Sequence, residues 1–216
     1  MKDQPIVIIG SGGHAVSVAG LALSAGFTPI MFVDEKSDRR EIHGIPILPN
    51  FNSISKSDSL SCVIAIGDNY QRMGLKESIK SSYPLLNFPS LIHPDSSIGI
   101  WSSIEEGALI FAGSRVGANC RIGEFSILNT NASLDHDSIL GAFASLAPGV
   151  TSGGNVAIGI CSAVGICSAI KHGVKIGAHT VIGSASNVLH DIDDFGVFFG
   201  NPAHKIRDRK IGDPYL

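Results

Sequence analysis

The sequence predicts an α/β unit followed by a parallel β-helix, and three observations predict it. From Ile98 the chain divides into sixteen hexads without an insertion, ending at Asp193, and fifteen of the sixteen first positions are aliphatic. Glycine makes up 25 of the 216 residues, against the roughly 7% usual in globular chains, and nine of those glycines fall at the second hexad position. Ahead of the repeat, PIVIIG at 5–10 reads as a buried strand that runs through a glycine-rich turn into an apolar helix.

The α/β unit comes first. Strands are predicted at 5–10, 28–33 (TPIMFV) and 61–66 (SCVIAI), helices at 13–25 and about 69–82, and a short strand near Leu85–Phe88. The turn GSGGHA at 10–15 fits G-x-G-x-x-A, and Asp34 closes the second strand about twenty residues on, the spacing of a phosphate-and-ribose site. Glycine turns after a strand also serve simple close packing. A full dinucleotide fold needs two βαβ halves, and only one fits before the hexads, so a mononucleotide or nucleotide-sugar suits this half-Rossmann unit better than a nicotinamide cofactor.

A period of six suits neither a helix nor an alternating strand. It suits a flat three-residue strand, a bend and the next strand, with three faces to a coil. Residues i and i+18 then stack at one strand spacing, roughly 4.8 Å. First-position aliphatics fill the prism, small fifth-position residues fit near its corners, and second-position glycine is expected to supply backbone angles at the bends. The predicted boundaries are 1–90 for the α/β unit, 91–195 for the β-helix and 196–216 for a C-terminal cap.

Composition narrows the class. Sixteen basic and nineteen acidic residues give a net charge of −3, with a pI near 6.2, which argues against nucleic-acid binding. No apolar run approaches the roughly 18–20 residues that span a bilayer, and the opening MKDQP lacks the pattern of a secretion signal, so a cytoplasmic location is expected. Cys62, Cys120, Cys161 and Cys167 form no disulfide or zinc pattern and read as small buried apolar residues. A β-helix alone is also compatible with a passive scaffold.

The stretches GSGGHA, FVDEK at 32–36, AIGDNYQR at 65–72, NTNASLDHD at 129–137, GGNVAIG at 153–159 and GNPAHKIR at 200–207 together resemble the bacterial nucleotide-sugar N-acetyltransferases of the bacillosamine and perosamine type, with the related sialic acid O-acetyltransferases. The resemblance covers essentially the whole chain. It implies a left-handed coil, a homotrimer, acetyl-CoA held in the groove between subunits, and a UDP- or GDP-linked 4-amino sugar on the N-terminal unit. Acetylation of a sugar hydroxyl and a non-catalytic scaffold are the competing functions.

Attack of an amine on a thioester requires a proton acceptor, and imidazole suits that role near neutral pH. His136 lies between Asp135 and Asp137 at a third hexad position, facing away from the prism, and the family carries its base and an acidic neighbour at the positions of His136 and Asp137. One coil later, at 136 plus 18, stands Gly154, in the only hexad whose first residue is not aliphatic. Its N–H can approach a thioester oxygen, or its hexad merely relieves a tight bend. The resemblance adds Ser145, Ile166 and Ser184 along the CoA arm. Lys205, with Arg207, Arg209 and Lys210, is expected near the 3′-phosphate of CoA or in solvent. Gly12, Gly13 and His14 are expected to cradle phosphate and sugar, Asp34, Glu35 and Lys36 to meet ribose and base, and Gly67 and Asn69 to close the pocket. Arg72 reads as a phosphate partner or an exposed helical arginine. His43, His93, His172, His179, His190 and His204 are read as structural or solvent-facing. No metal is required and no acyl-enzyme residue is implied.

Overall fold

The computed structural model describes residues 4–51 and 60–215. The N-terminal sheet contains β1 (Gln4–Ile9), β2 (Phe27–Val33), β3 (Glu41–Ile42), β4 (Ile45–Leu48) and β5 (Ser61–Ile64) in the order β3-β4-β2-β1-β5. All pairs are parallel except β3 with β4. Helix α1 (Gly13–Ser24) joins β1 to β2, and α2 (Asn69–Ser82) follows β5, opened by Asp68, whose carboxylate accepts from the Gln71 N–H.

The β3–β4 hairpin was not anticipated. Its turn is His43-Gly44, both at positive φ, the two-residue type that matches strand twist. The expected strand at 85–88 is reduced to one bridge between Asn87 and Ser61.

From Leu91–Ile92 to Asn187–Val188 the chain winds as a left-handed parallel β-helix of two-residue strands on three faces. Every stacked pair is offset by eighteen residues, as in Arg115↔Ser133 and Ile127↔Ser145. The coil starts one hexad before Ile98, with Leu91 pairing Leu109. Each strand consists of hexad positions six and one, shorter than the three residues expected. First-position aliphatics such as Ile122, Leu134, Leu140 and Leu146 form the buried column.

The fifth position is buried, as its small residues require, and its serines are hydrogen-bonded within the stack. Ser162 Oγ donates to Gly177 O (2.6 Å) and accepts from Thr180 N (2.9 Å); Ser168 repeats the pattern with Gly183 O and Ser186 N. A hydroxyl that both donates and accepts leaves no polar group stranded in the core.

The glycine expectation needs correction. Second-position glycines do not use positive φ. A Cβ on Gly117 would lie 2.4 Å from His136 N, and one on Gly123 would lie 2.5 Å from Ala142 N, so glycine there permits coils to approach. The left-handed residue is the fourth, filled by Asn119, Phe125, Asp137, Phe143, Cys161 and Cys167 among others. At that corner Cys167 is exposed, unlike the other three cysteines, which are buried as expected.

The α/β unit packs on the β-helix through both sides of its sheet. Ile6 and Ile8 face α1 and join Leu109, Phe111 and Ile127, while Val7 and Ile9 face the other way and join Phe125, Phe143 and Cys161. At this junction lies Arg72, only 1% exposed. It donates to the carbonyls of Phe125 (2.8 Å), Phe143 (2.9 Å), Ile66 (2.8 Å) and Gly67 (3.1 Å) and to Asn69 Oδ1 (2.7 Å). Burial lowers its pKa to about 10, so it stays cationic. It is neither a phosphate partner nor a surface residue.

Beyond the coil, the strand Gly196–Phe199 extends the third face, the one that contains Ser145–Leu146, and His204–Asp208 pairs antiparallel to it. The tail then brings Tyr215 to α2, where its hydroxyl accepts from Asn69 N (3.0 Å). Among the described residues no helix is long and apolar enough to cross a membrane.

Replacing Arg72 by Met removes every donor from the Phe125 and Phe143 carbonyls while keeping much of the volume. The expected loss is about 3–5 kcal/mol of stability, measured by urea unfolding of the purified variant.

Candidate active site

Eighteen-residue stacking puts third-position residues Ala118, His136, Gly154 and His172 in one column at a corner, beside fourth-position Trp101, Asn119, Asp137 and Asn155. Asn and Asp tolerate the left-handed conformation this corner imposes. Asp137 uses that geometry to grip its neighbour: Oδ2 lies 2.7 Å from His136 Nδ1, and Oδ1 accepts from Asn119 Nδ2 at 2.7 Å. Asp135 Oδ1 accepts from the His136 N–H (2.8 Å).

A carboxylate on Nδ1 fixes the proton there and leaves the Nε2 lone pair free. The hydrogen bond to Asp137, followed by the charge of Asp135, raises the His136 pKa above its ordinary value. The Asn119 hydrogen bond, followed by that to His136, holds Asp137 below the carboxylate range. The corner opens on a shallow groove of about 580 Å³ lined by Trp101, Ala118, Asn119, His136 and Asp137.

Gly154 lies directly against Nε2. A Cβ there would sit 2.5 Å from that atom, so any side chain at 154 would collide with the His136 ring. Its carbonyl accepts from Gly173 N (2.9 Å). Asn119 and Trp101 were missed in the sequence, although Asn119 is Asp137 minus one coil.

A second groove of about 450 Å³ runs along the third face and gathers Ser145, Ile166 and Ser184. His14 and Gly67, expected with the nucleotide, also line it. Burial, then the charge of Arg72, lowers the His14 pKa to about 4, so the ring is neutral. Its Nε2 is buried and has no hydrogen-bond partner among the described residues.

Asn69 does not reach either opening. It is fully buried, donating to Ser145 Oγ (3.1 Å) and Ser162 O (3.0 Å) and accepting from Arg72, so it braces the groove from behind.

Asp34, Glu35 and Lys36 line a third cavity, of about 470 Å³, with Phe51, Ile66 and Tyr83. Burial pushes the Asp34 carboxyl upward, but hydrogen bonds from Ser11 Oγ (2.6 Å) and Lys36 N (3.0 Å) outweigh it and leave the pKa low. Gly10 is the glycine the fold requires, with φ +110° and Ala65 O 3.0 Å from a Cβ position. Gly12 and Gly13 have nothing near theirs, which leaves their backbone open to a ligand.

In the tail, Lys205 pairs with Asp208 (2.5 Å) and Arg207 with Asp213 (3.4 Å). Arg209 is buried, donating to His179 O and Asp213 O, and is not a solvated cation.

Within one chain the His136 corner and the Ser145–Ile166–Ser184 groove do not meet. The corner lies between the first face (Ser133–Leu134) and the second (Ile139–Leu140). Ile166 and Ser184 lie where the third face turns toward the first, so a whole face separates them from His136.

The PglD N-terminal domain family matches residues 5–79. The fold is similar to the acetyltransferase domain of PglB from Neisseria gonorrhoeae, solved with acetyl coenzyme A, at 29% identity and a TM-score of 0.87, covering 94% of this chain and all of that one. It is similar to a mutant of GDP-perosamine N-acetyltransferase from Caulobacter crescentus, solved with CoA and GDP-perosamine, at 30% identity and a TM-score of 0.88, covering 94% of this chain and 97% of that one. A curated relative, the acyl-[acyl-carrier-protein]–UDP-N-acetylglucosamine O-acyltransferase of Nautilia profundicola, is 36% identical over 107 residues, which span 49% of this chain and 41% of that protein. The chain belongs to the hexapeptide-repeat family of nucleotide-sugar N-acetyltransferases.

Replacing Asp137 by Asn removes the charge that favours the His136 imidazolium. The His136 pKa should fall, so the protonated fraction should vanish at lower pH than in the parent. Imidazole NMR titration is expected to show that downward shift.

Proposed function

We propose that the chain transfers the acetyl group of acetyl-CoA to the amino group of a nucleotide-linked 4-amino-dideoxy sugar. The observation that carries this reading is the free Nε2 of His136, its tautomer set by Asp137, facing space that only a glycine at 154 leaves open.

Acetyl-CoA supplies an activated acyl carbon. His136 accepts the proton that the amine loses as its nitrogen bonds to that carbon, and Asp137 stabilises the imidazolium that results. In this reading the Gly154 N–H holds the carbonyl oxygen as it gains negative charge. Collapse re-forms the carbonyl and breaks the C–S bond, and the sulfur leaves as the thiol once it regains the proton held on His136.

The third-face groove suits the CoA arm. It is a mainly apolar trough of strand residues with Ser145 and Ser184 for polar contacts, and the tail strand that pairs with Gly196–Phe199 carries Lys205. The cavity at Asp34, Glu35 and Lys36 suits the nucleoside, and the open backbone at Gly12 and Gly13 opens α1, where a phosphate is favoured. His14, neutral and with no partner on Nε2 among the described residues, lines the groove at the start of α1, where a sugar contact is proposed.

A homotrimer supplies the missing juxtaposition. Three prisms around a threefold axis would set the His136 corner of one copy against the third-face groove of the next, bridging the face that separates them in a single chain. The reading also places the protein in the cytoplasm, where its acetyl donor is made.

Thiol release from acetyl-CoA with UDP- and GDP-linked 4-amino-4,6-dideoxy sugars, and with free and CMP-linked sialic acid, tests the reaction. Turnover with an amino sugar is expected, and His136→Ala should lower kcat/KM by roughly 10² to 10⁴. Turnover confined to sialic acid would make the acceptor a hydroxyl. In light scattering, a mass about three times the 22.6 kDa of one chain is expected; a monomer would remove the shared site.

A further inference from the structure

The corner column does not end at Gly154. His172 follows it by another eighteen residues, so it stands two coils from His136, a separation of roughly 9.6 Å for two strand spacings. The two rings nevertheless lie with their centroids 6.2 Å apart at an interplanar angle of 47°. They converge because no side chain stands between them: a Cβ on Gly154 would lie 2.5 Å from His136 Nε2. His172 is exposed, and its ring forms no hydrogen bond or ion pair with any described residue.

We infer that His172 is a second catalytic residue, whose ring N–H hydrogen-bonds the thioester carbonyl oxygen as that oxygen gains charge. The inference rests on the acetyl-transfer reading above. An amine held on His136 Nε2 places the carbon it attacks over Gly154. The oxygen of that carbon then has two donors within the column, the Gly154 N–H and the His172 ring. When the nitrogen–carbon bond forms, the carbonyl electron pair moves onto the oxygen, and the amine proton passes to His136. When the carbonyl re-forms, the C–S bond breaks and that proton leaves with the sulfur. His172 transfers no proton in either step; it lowers the cost of the charge between them.

Other groups are less suited to this role. His190, one coil beyond His172, is a further strand spacing from the reacting atoms, and His14 is read above as a contact of the sugar.

The experiment compares kcat and both KM values for the parent protein, His136→Ala, His172→Ala and His172→Gln, whose amide keeps a donor. Loss of one such donor costs about 10² to 10³ in rate. His172→Ala is therefore expected to lower kcat by roughly that factor, with both KM values little changed and with an unaltered melting temperature. His172→Gln is expected to recover a substantial part of the lost rate. Unchanged kcat in His172→Ala, a change confined to KM, or a Gln variant no better than Ala would overturn the inference. If the parent turns over and His136→Ala does not, an unaffected His172→Ala overturns this role alone. A parent that acetylates none of the acceptors overturns the acetyl-transfer reading, and this inference with it.

Discussion

Eighteen-residue stacking is the constraint on which the rest of this structure depends. Each two-residue strand finds its hydrogen-bonding partners one coil away, as Arg115 does with Ser97 and Ser133, so every residue is held about 4.8 Å above its equivalent in the preceding coil. That closeness forbids a Cβ at second-position glycines such as Gly117 and Gly123 and forces the fourth residue into the left-handed region. The same register turns sequence spacing into spatial columns. Asn119, Asp137 and His136 become neighbours because 119 and 137 differ by one coil, and no long-range packing is needed to bring them together.

The second constraint is the junction between sheet and coil. Arg72 is a buried cation that forms no ion pair with a described residue, and its hydrogen bonds go to four carbonyls and one amide oxygen. Two of those carbonyls belong to Phe125 and Phe143, left-handed corner residues whose rings stack at 5.4 Å. Asn69 continues the contact to Ser145 and Ser162, and Tyr215 caps it from the other terminus. Side chains on the outer surface of the coil thus complete both cores of the α/β sheet. The groove that contains Ser145 and His14 is a product of that union, since its two walls come from different parts of the chain.

How much of this could be read in the sequence follows from how each feature is determined. The coil, its register and the His136–Gly154 pair depend on local repetition, so arithmetic on residue numbers finds them. The same arithmetic reaches Asn119 and His172, which residue type alone does not distinguish from ordinary corner residues. Burial of Arg72, Asn69 and Arg209 depends on which surface the α/β unit covers, a non-local outcome with no mark in their own segments. Helix α2 looks amphipathic with an exposed arginine until the coil is placed against it. Second-position glycine misled for a related reason: positive φ and close approach both select glycine, and only the stacked neighbour tells them apart.

The corner chemistry explains why this arrangement must stay open in an isolated chain. An imidazole held by a carboxylate through Nδ1 is bare at Nε2, and here Gly154 keeps the approach to that nitrogen clear. Yet an exposed imidazole in water gains little from nearby dipoles, because solvent screens them. The donors proposed for the column would become effective only when the groove is covered and water is displaced. One chain offers His136 on one edge of its first face and the apolar groove across the other edge, so neither half is enclosed alone. In the proposed trimer, covering one with the other would both assemble the reactants and lower the local dielectric.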